Sequence, residues 1–394
     1  MKSEWQTVRA ADFMDFNPRL SIKKGTVATK ISMDKLRPFT KAVPSVEQAE
    51  FSGGTKFANG DTIMARITPC LENGKTAFVD CLRENEIAFG STEFIVLRAK
   101  PGVSDPQFVY YLATSPEFRN VAIKSMVGSS GRQRVQQPVL ENLELTVPKL
   151  PEQEKIGHFL AELDDKIALN ERVNDNLEQQ AQALFQELFI ENADPEWREG
   201  TISDLGTVVG GSTPSKSKPE YYTEHGIAWI TPKDLSVNKS KFITHGENDI
   251  TELGLKNSSA SIMPEGTVLF SSRAPIGYIA IAAGEVTTNQ GFKSVIPRPA
   301  IGTPFVYYFL KNALPTIEGM ASGSTFKEVS GSTMKIVPAF IPDDETLARF
   351  TEFCSPIFEQ QQMLERQNQS LAALRDSLLP KLMSGEIDVS DVSI

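Results

Sequence analysis

Residues that commonly bind metals or carry covalent chemistry are scarce in this sequence. Its 394 residues include only three cysteines and three histidines, and all six lie far apart along the chain. An odd, scattered set of cysteines indicates neither a disulfide framework nor a zinc site, so we expect the thiols to pack as small apolar groups. A histidine-based centre is not indicated either, and we predict no metal site. The residues concerned are Cys70, Cys81, Cys354, His158, His225 and His245.

Long apolar runs are also absent. Nowhere does the chain contain the roughly 18 consecutive apolar residues that a membrane-spanning helix needs. The first residues, MKSEWQTVRAADFMDF, lack the apolar core of a secretory signal peptide. We therefore expect a cytoplasmic protein with no contact to a membrane.

Recognisable catalytic motifs are missing. The sequence contains no Gly-x-Ser-x-Gly, His-Glu-x-x-His, Cys-x-x-Cys or Rossmann glycine fingerprint. Gly74-Lys75-Thr76 looks like the end of a phosphate-binding loop, but such a loop needs a glycine at position 69. Pro69 stands there instead, with a fixed φ and no N–H to offer a phosphate. We therefore expect neither an NTPase nor another enzyme.

The negative charge of the chain is confined to two short segments. The net charge is −10. Residues 1–150 carry 20 Lys and Arg against 16 Asp and Glu, and residues 195–340 carry 13 of each. Residues 151–194 carry 3 against 11, and residues 341–394 carry 4 against 10. The two larger segments are therefore electrostatically open to a polyanion, although the whole chain is acidic.

These segments form an internal repeat, in which a large block followed by an acidic segment occurs twice. Phe108-Val-Tyr-Tyr-Leu112 in the first block matches Phe305-Val-Tyr-Tyr-Phe309 in the second, and we predict a short helix at both places. Glu93–Leu97 and Gly277–Ile281 are predicted strands, so each block is a mixed α/β globule. At an offset of 194 residues, Ile156, Leu163, Arg172 and Asn174 of the first acidic segment fall on Phe350, Ile357, Arg366 and Asn368 of the second.

Apolar residues in both acidic segments follow alternating steps of four and three, which is typical of a helix that packs along another helix. We predict two long antiparallel helices that form a coiled coil, with Asn170 facing Asn368. Pro356 should kink or break the second helix. The acidic residues of both helices, such as Asp164 and Asp165, should lie on the outer faces of the pair. The predicted seam consists of Leu163, Ile167, Asn170, Asn174, Leu177, Leu184, Ile357, Leu364, Asn368, Leu371 and Leu378.

Polar loops recur at matching places in the two blocks. Arg and Gln can pair with guanine and adenine edges, while Ser, Thr and Lys can hold phosphates. Taken singly, such residues are more often ordinary solvated loop positions, and only their recurrence favours DNA contacts. The candidates are Lys75, Ser129, Ser130, Arg132, Gln133 and Arg134 in the first block, and Ser272, Arg273, Gln290, Lys293, Thr325 and Lys327 in the second.

Several phrases carry a specific resemblance when they are taken together with the repeat. They are ARITPCLENGKTAFV (65–79), VPKLPEQEKI (147–156), GGSTPSKSKPEYY (210–222), WITPKDL (229–235), LFSSRAPIGYIAI (269–281), TNQGFKS (288–294) and LAALRDSLLPKLMSGEI (371–387). The sequence resembles the specificity subunits of type I restriction–modification systems over essentially its whole length.

That resemblance implies a division of labour. Residues 1–150 and 194–341 would be two target-recognition domains, each reading half of a split, asymmetric site in double-stranded DNA. Residues 151–193 and 342–394 would be conserved spacer helices that bind two methyltransferase (modification) subunits, to which restriction/translocase subunits are added. S-adenosylmethionine, ATP and Mg would then belong to those partners, and this chain would need no cofactor. A coiled-coil adaptor that binds proteins without reading DNA is the alternative.

Overall fold

Two long helices occupy the acidic segments. In the computed structural model, which describes residues 5–323, 327–389 and 392, the first helix runs Leu150–Gln186 and continues as a π-helical turn, Glu187–Glu191. The second helix runs Asp344–Met383.

The second helix contradicts the predicted break at Pro356, because it passes through that proline without ending. A proline removes the hydrogen bond to the carbonyl four residues earlier, here that of Glu352. Both residues lie on the exposed face of the helix, so water can serve the freed carbonyl and the ring does not meet the core.

The chain divides into two compact units that differ from the four predicted segments. Unit 1 comprises residues 1–170 and 367–394, and unit 2 comprises residues 171–366. Each unit therefore contains one large block together with half of each long helix. In each unit the helix halves share a hydrophobic core with the block, so the helices pack against the blocks as well as against each other.

Unit 1 is built on two four-stranded sheets and one small ribbon. The first sheet is antiparallel throughout and has the order Met14–Phe16, Phe94–Ala99, Thr62–Ala65, Thr76–Phe78. The second sheet has the order Glu47–Glu50, Val27–Ile31, Ile87–Gly90, Thr55–Ala58, with its central pair parallel. Gln6–Arg9 pairs with Glu144–Val147. Short helices run Ala10–Phe13, Met33–Lys35, Pro106–Thr114, Pro116–Lys124 and Gln137–Glu141.

Unit 2 repeats this plan with five strands in one sheet and four in the other. The first sheet has the order Gly206–Gly210, Lys293–Pro297, Val268–Ser272, Ile276–Ala282, Phe242–Ile243. The second has the order Tyr222–Thr223, Asn248–Ile250, Ile227–Ile230, Thr287–Thr288. Arg198–Thr201 pairs with Pro338–Ile341. Short helices run Ile202–Leu205, Pro219–Tyr221, Pro232–Val237, Glu252–Lys256, Thr303–Asn312, Leu314–Gly319 and Gly331–Lys335.

The matched Phe-Val-Tyr-Tyr segments form equivalent helices, Pro106–Thr114 and Thr303–Asn312. Both have proline in the first turn, where the missing N–H costs nothing. In unit 1 the side chain of Asp105 caps the helix by accepting the Phe108 N–H at 2.8 Å. The aromatic residues of both segments are almost wholly buried except Phe309, so these helices are central to the two cores.

The helix halves pair antiparallel within each unit. In unit 1 Asn170 Nδ2 donates to Asn368 Oδ1 at 2.8 Å, and Asn368 Nδ2 donates to the Ile167 carbonyl at 3.5 Å. In unit 2 Gln361 Nε2 donates to the Asn174 carbonyl at 3.2 Å. None of the eleven predicted seam residues is exposed. Such buried amides favour one register of the helices over others.

The prediction that Asp164 faces outward is wrong. Asp164 is buried in unit 1, where it accepts a hydrogen bond from Tyr111 Oη at 2.6 Å and forms an ion pair with Arg375. Asp165 pairs with the buried Lys41 ammonium at 2.9 Å. These carboxylates hold the block of unit 1 to the helices, so Asp164 cannot serve as a contact for another protein.

The cysteines also differ from one another. Cys354 is wholly buried in the core of unit 2, as expected, and burial raises the pKa of its thiol to about 12. Cys70 is half-buried, whereas Cys81 is exposed, contrary to our expectation of packed thiols. All three are free cysteines.

Candidate nucleic-acid interface

The Gly-Lys-Thr motif lies in the turn that joins strands Thr62–Ala65 and Thr76–Phe78. Gly74 has a φ of +72°, and a Cβ there would come within 2.6 Å of the Phe39 ring, so glycine is required. Lys75 is half-buried and its ammonium donates to the Met33 carbonyl at 2.9 Å. The motif is therefore a structural turn, and its lysine points into the protein rather than towards a phosphate.

Unit 2 has the equivalent turn between Val268–Ser272 and Ile276–Ala282. Gly277, with a φ of +93°, is the second residue of the following strand, and both turns contain a cis peptide bond before proline, Thr68-Pro69 and Ala274-Pro275. The turns thus share the cis proline but differ in length, and the Lys-Thr pair occurs in the first alone.

A polar loop of unit 1, residues 127–134, packs against the Gly-Lys-Thr turn of the same unit. Val127 and Arg134 form an antiparallel bridge, with N–H···O distances of 3.1 and 2.9 Å. The next residue, Val135, is wholly buried and its N–H donates to the Arg66 carbonyl at 2.9 Å. Between these fixed ends, Ser129, Ser130 and Arg132 are exposed. The loop therefore exposes its middle residues, while its root is fixed by backbone hydrogen bonds. The root is the Val127–Arg134 bridge together with the buried Val135.

The corresponding loop of unit 2 has the same root. Ser322 and Glu328 form an antiparallel bridge at 3.1 and 2.9 Å, and Val329 is wholly buried with its N–H on the Ser272 carbonyl at 3.0 Å. Arg134 and Glu328 thus occupy the same place in the two units. Among the described residues of this loop, Gly323 and Lys327 are exposed.

In unit 1 a carboxylate from the turn just before strand Phe94–Ala99 holds the root of the loop. Glu93 accepts two hydrogen bonds from Arg134, with Nη2 at 2.7 Å and Nε at 3.0 Å. The hydrogen bond from Arg134 lowers the pKa of the Glu93 carboxyl, and the charge of Arg66 adds to the effect. Glu93 thus lies in the field of two guanidinium groups.

In unit 2 the loop itself supplies the carboxylate. Glu328 pairs with Arg273 Nη1 at 3.4 Å and with Lys293 Nζ at 3.8 Å. Burial lowers the pKa of the Lys293 ammonium, and the neighbouring Arg273 charge acts in the same direction against the pull of Glu328. A carboxylate paired with a cation therefore marks the loop root in both units.

The predicted DNA-contact residues fall into groups. Arg134, Arg273 and Lys293 lie at the loop roots in ion pairs, and Gln290 is exposed with its side-chain carbonyl accepting from the Thr213 hydroxyl. The residues that are displayed without such a pairing are Ser129, Ser130, Arg132, Gln133 and Lys327, of which Gln133 is half-buried. Thr325 lies outside the described residues.

Two of the candidates are corrected by their surroundings. Ser272 is wholly buried, and its hydroxyl donates to the Gly291 carbonyl at 3.1 Å, so it has no face to offer DNA. Lys75 is engaged with Met33, as described above. Both residues are better explained as parts of the turn that supports the loop.

Sequence reasoning missed Arg66, Glu93 and Glu328. A signal for Arg66 was present, because an arginine shortly before proline occurs in both copies, at Arg66 and Arg273. The two glutamates gave no comparable signal. Glu93 and Glu328 lie at different places in the repeat, and only the fold shows that each one pairs with a cation at a loop root.

Comparison with known proteins agrees with this duplicated architecture. Residues 2–179 and 195–375 both match the family described as the type I restriction modification DNA specificity domain. Since these matches span most of the chain, the chain belongs to this family. The predicted family, the mixed α/β fold and the internal repeat are confirmed.

Relatives match the chain to different extents. The HindI specificity subunit of Haemophilus influenzae is 26% identical, over 83% of this chain and 86% of that protein. The MjaIX specificity subunit of Methanocaldococcus jannaschii is 39% identical over 189 residues, which are 48% of this chain and 44% of that protein, so this match spans less than half of the relative. A type I restriction–modification S subunit from M. genitalium has a similar fold, with a TM-score of 0.53 at 17% identity and coverage of 96% of each chain.

Neither a metal-binding cluster nor a membrane-spanning helix is found among the described residues. Within the described part of the chain, no group of three or more His, Cys, Asp or Glu side chains is arranged to hold a metal ion. None of the helices in the same residues has the length and apolar character needed to cross a bilayer.

Proposed function

We propose that this chain reads a two-part, asymmetric DNA sequence, with the block of unit 1 reading one half and the block of unit 2 the other. The observation that carries the proposal is the shared loop root, which displays different side chains in the two copies. The loop side chains available to DNA are Arg132 and Gln133 in unit 1 and Lys327 in unit 2. Because the donors differ, the two half-sites should differ.

We further propose that the long helices bind two methyltransferase subunits, and that restriction/translocase subunits complete the assembly. The outer faces of the helices support this, since they expose the large apolar side chains of Leu169, Val173, Phe353 and Met363. Exposed apolar residues on an otherwise acidic surface favour contact with protein rather than with DNA. S-adenosylmethionine, ATP and Mg would be bound by those partners, which would carry out the chemistry.

The experiment is to co-express the chain with a methyltransferase subunit from the same source and to map adenine methylation on random DNA. We expect a split motif of two specified halves around an unspecified gap. Replacing residues 1–150 by the same block of a relative should change one half alone. Assembly without DNA dependence would favour the adaptor alternative, and methylation by this chain alone would make it an enzyme.

A single arginine tests the loop assignment. Arg132→Ala should relax the motif in the half read by the first block, because a bidentate arginine contact to a base discriminates by about 1–3 kcal/mol. Arg83→Ala is the matched control, since Arg83 is an exposed arginine of the same unit in a turn between strands. Equal effects of the two substitutions on the motif would argue against a role for the loop.

A further inference from the structure

The two loop roots contain the same charge arrangement with the signs exchanged. In unit 1 the loop ends in a cation, Arg134, and the turn before strand Phe94–Ala99 supplies the anion, Glu93. In unit 2 the loop ends in an anion, Glu328, and the sheet and turn supply the cations, Lys293 and Arg273. The arrangement therefore recurs although the residues that form it do not correspond.

Folding stability is a weak reason for this recurrence. The Arg134 and Glu93 side chains are 45% and 24% exposed, and ion pairs so close to solvent typically contribute no more than about 1 kcal/mol. The backbone bridges Val127–Arg134 and Ser322–Glu328 already close both loops without help from the side chains. The carboxylates must then do something other than close the loop.

Their positions suggest what this is. A carboxylate that accepts two hydrogen bonds from one guanidinium fixes the plane of that group. It also cancels part of the positive charge, which would otherwise attract any phosphate regardless of sequence. A site discriminates between partners by weakening wrong contacts as well as by strengthening right ones.

We propose that Glu93 and Glu328 are positioning residues that set the half-site selectivity of their own domains. Glu93 fixes the plane of the Arg134 guanidinium, and both glutamates suppress the sequence-independent attraction of the neighbouring cations to the DNA backbone. This inference rests on the proposed function, because selectivity has meaning only if the chain reads DNA.

The test uses the complex with the methyltransferase subunit and two isosteric substitutions, Glu93→Gln and Glu328→Gln. Each should raise affinity for non-cognate DNA at low salt. It should also steepen the dependence of log K on log salt by about 0.9, the value for one additional phosphate contact. The motif half read by the substituted domain should lose roughly tenfold or more in discrimination, while the other half stays unchanged.

Matched controls separate this role from a general effect of charge. Glu84→Gln in unit 1 and Glu285→Gln in unit 2 remove one exposed carboxylate each, away from the loop roots. They should leave the salt slope and both halves of the motif unchanged. Glu93→Asp, which keeps the charge, should restore the salt slope of the wild type and part of the selectivity.

The outcomes separate this inference from the proposed function. If the wild-type complex yields no split motif, the proposed function fails whatever the variants do. If the wild type yields a split motif but Glu93→Gln and Glu328→Gln keep its halves and its salt slope, only the inference fails. Lower yield of folded complex with an unchanged motif would assign the glutamates a structural role and would equally overturn it.

Discussion

Removing the carboxylate of Glu178 should strongly destabilise unit 2. Its Oε2 accepts from Lys241 Nζ and Tyr308 Oη, both at 2.8 Å, and its Oε1 accepts from Lys311 Nζ at 2.6 Å. Lys241 is itself buried, and its ammonium lies 3.6 Å from the centroid of the Phe358 ring. A helix carboxylate thus joins the block of unit 2 to the helices through two ammonium groups.

The pKa values give the size of the effect. Burial alone would raise the pKa of Glu178, but the charges and hydrogen bonds of Lys241 and Lys311 outweigh it and hold the pKa at about 2. Burial lowers the pKa of Lys241 to about 8 in spite of Glu178. A depression from the ordinary 4.5 to about 2 corresponds to about 3 kcal/mol in favour of the folded state. Loss of one partner from a buried pair costs about the same, 3–5 kcal/mol.

Glu178→Gln should therefore lower the unfolding temperature of the transition that includes unit 2 by about 6–12 °C at pH 7, taking about 2–4 °C per kcal/mol for a unit of this size. Calorimetry of the purified chain measures it. Glu359→Gln is the control, because Glu359 is an exposed helical glutamate of the same unit. The double variant Glu178→Gln/Lys241→Met should be more stable than Glu178→Gln alone, since no uncompensated ammonium stays buried.

The pH dependence supplies a second criterion. Because the folded pKa of Glu178 lies below its ordinary value, its contribution is fully present above about pH 4.5 and is lost as the pH falls towards 2. The difference in unfolding free energy between the wild type and Glu178→Gln should shrink over that range. If Glu178→Gln matches Glu359→Gln within 1 °C, roughly 0.5 kcal/mol or less, at pH 7, the reasoning is refuted.

Two further substitutions test unit 1 and the helix seam. Asp61 is wholly buried and accepts hydrogen bonds from Arg98 Nε at 2.6 Å and Nη2 at 2.7 Å. Asp61→Asn should therefore lower the unfolding free energy by about 3–5 kcal/mol in chemical denaturation. The control Asp12→Asn, at an exposed aspartate, should change it very little. Asn170→Leu leaves the amide of Asn368 short of its partner and should cost about 1–3 kcal/mol, while replacing both by Leu should recover most of that loss. A double variant as unstable as the single one would show that the amide pair is not the cause.

The sequence was informative wherever a pattern depends on the chain itself. The seam spacing predicted two long helices, and the Phe-Val-Tyr-Tyr match predicted equivalent buried helices at Pro106–Thr114 and Thr303–Asn312. Pro69 excluded a phosphate-binding loop because the missing N–H is a local property. Such inferences need no knowledge of which distant residues meet.

The sequence did not predict which residues distant along the chain become partners in the fold. Asp164 looks like a solvated helix acid in the sequence, yet Tyr111 and Arg375 bury it in unit 1. Ser272 belongs to a polar loop phrase but is the last residue of a buried strand. In both cases the misleading feature was polarity, because a polar side chain may be solvated or may satisfy a buried partner, and residue type does not distinguish the two.

The buried ion pairs of Asp164 in unit 1 and Glu178 in unit 2 resemble the loop roots, because the charged partners come from different elements in the two units. Tyr111 and Tyr308 occupy matching positions, and both hydroxyls donate to a carboxylate of the first long helix, at 2.6 Å to Asp164 and 2.8 Å to Glu178. The counter-cation comes from the second long helix in unit 1, as Arg375, but from the block in unit 2, as Lys241. After duplication, the pairing of charges has therefore been kept while the elements that supply them have changed.

This exchange limits how freely parts of the two copies can be combined. A loop of residues 127–134 grafted into unit 2 would place Arg134 where Glu328 stands, beside Arg273 and Lys293. Three cations at ion-pair distance without a carboxylate repel one another and would attract any phosphate backbone. Whole blocks, which carry their own counter-charges, are therefore the natural units of exchange, and single loops are not.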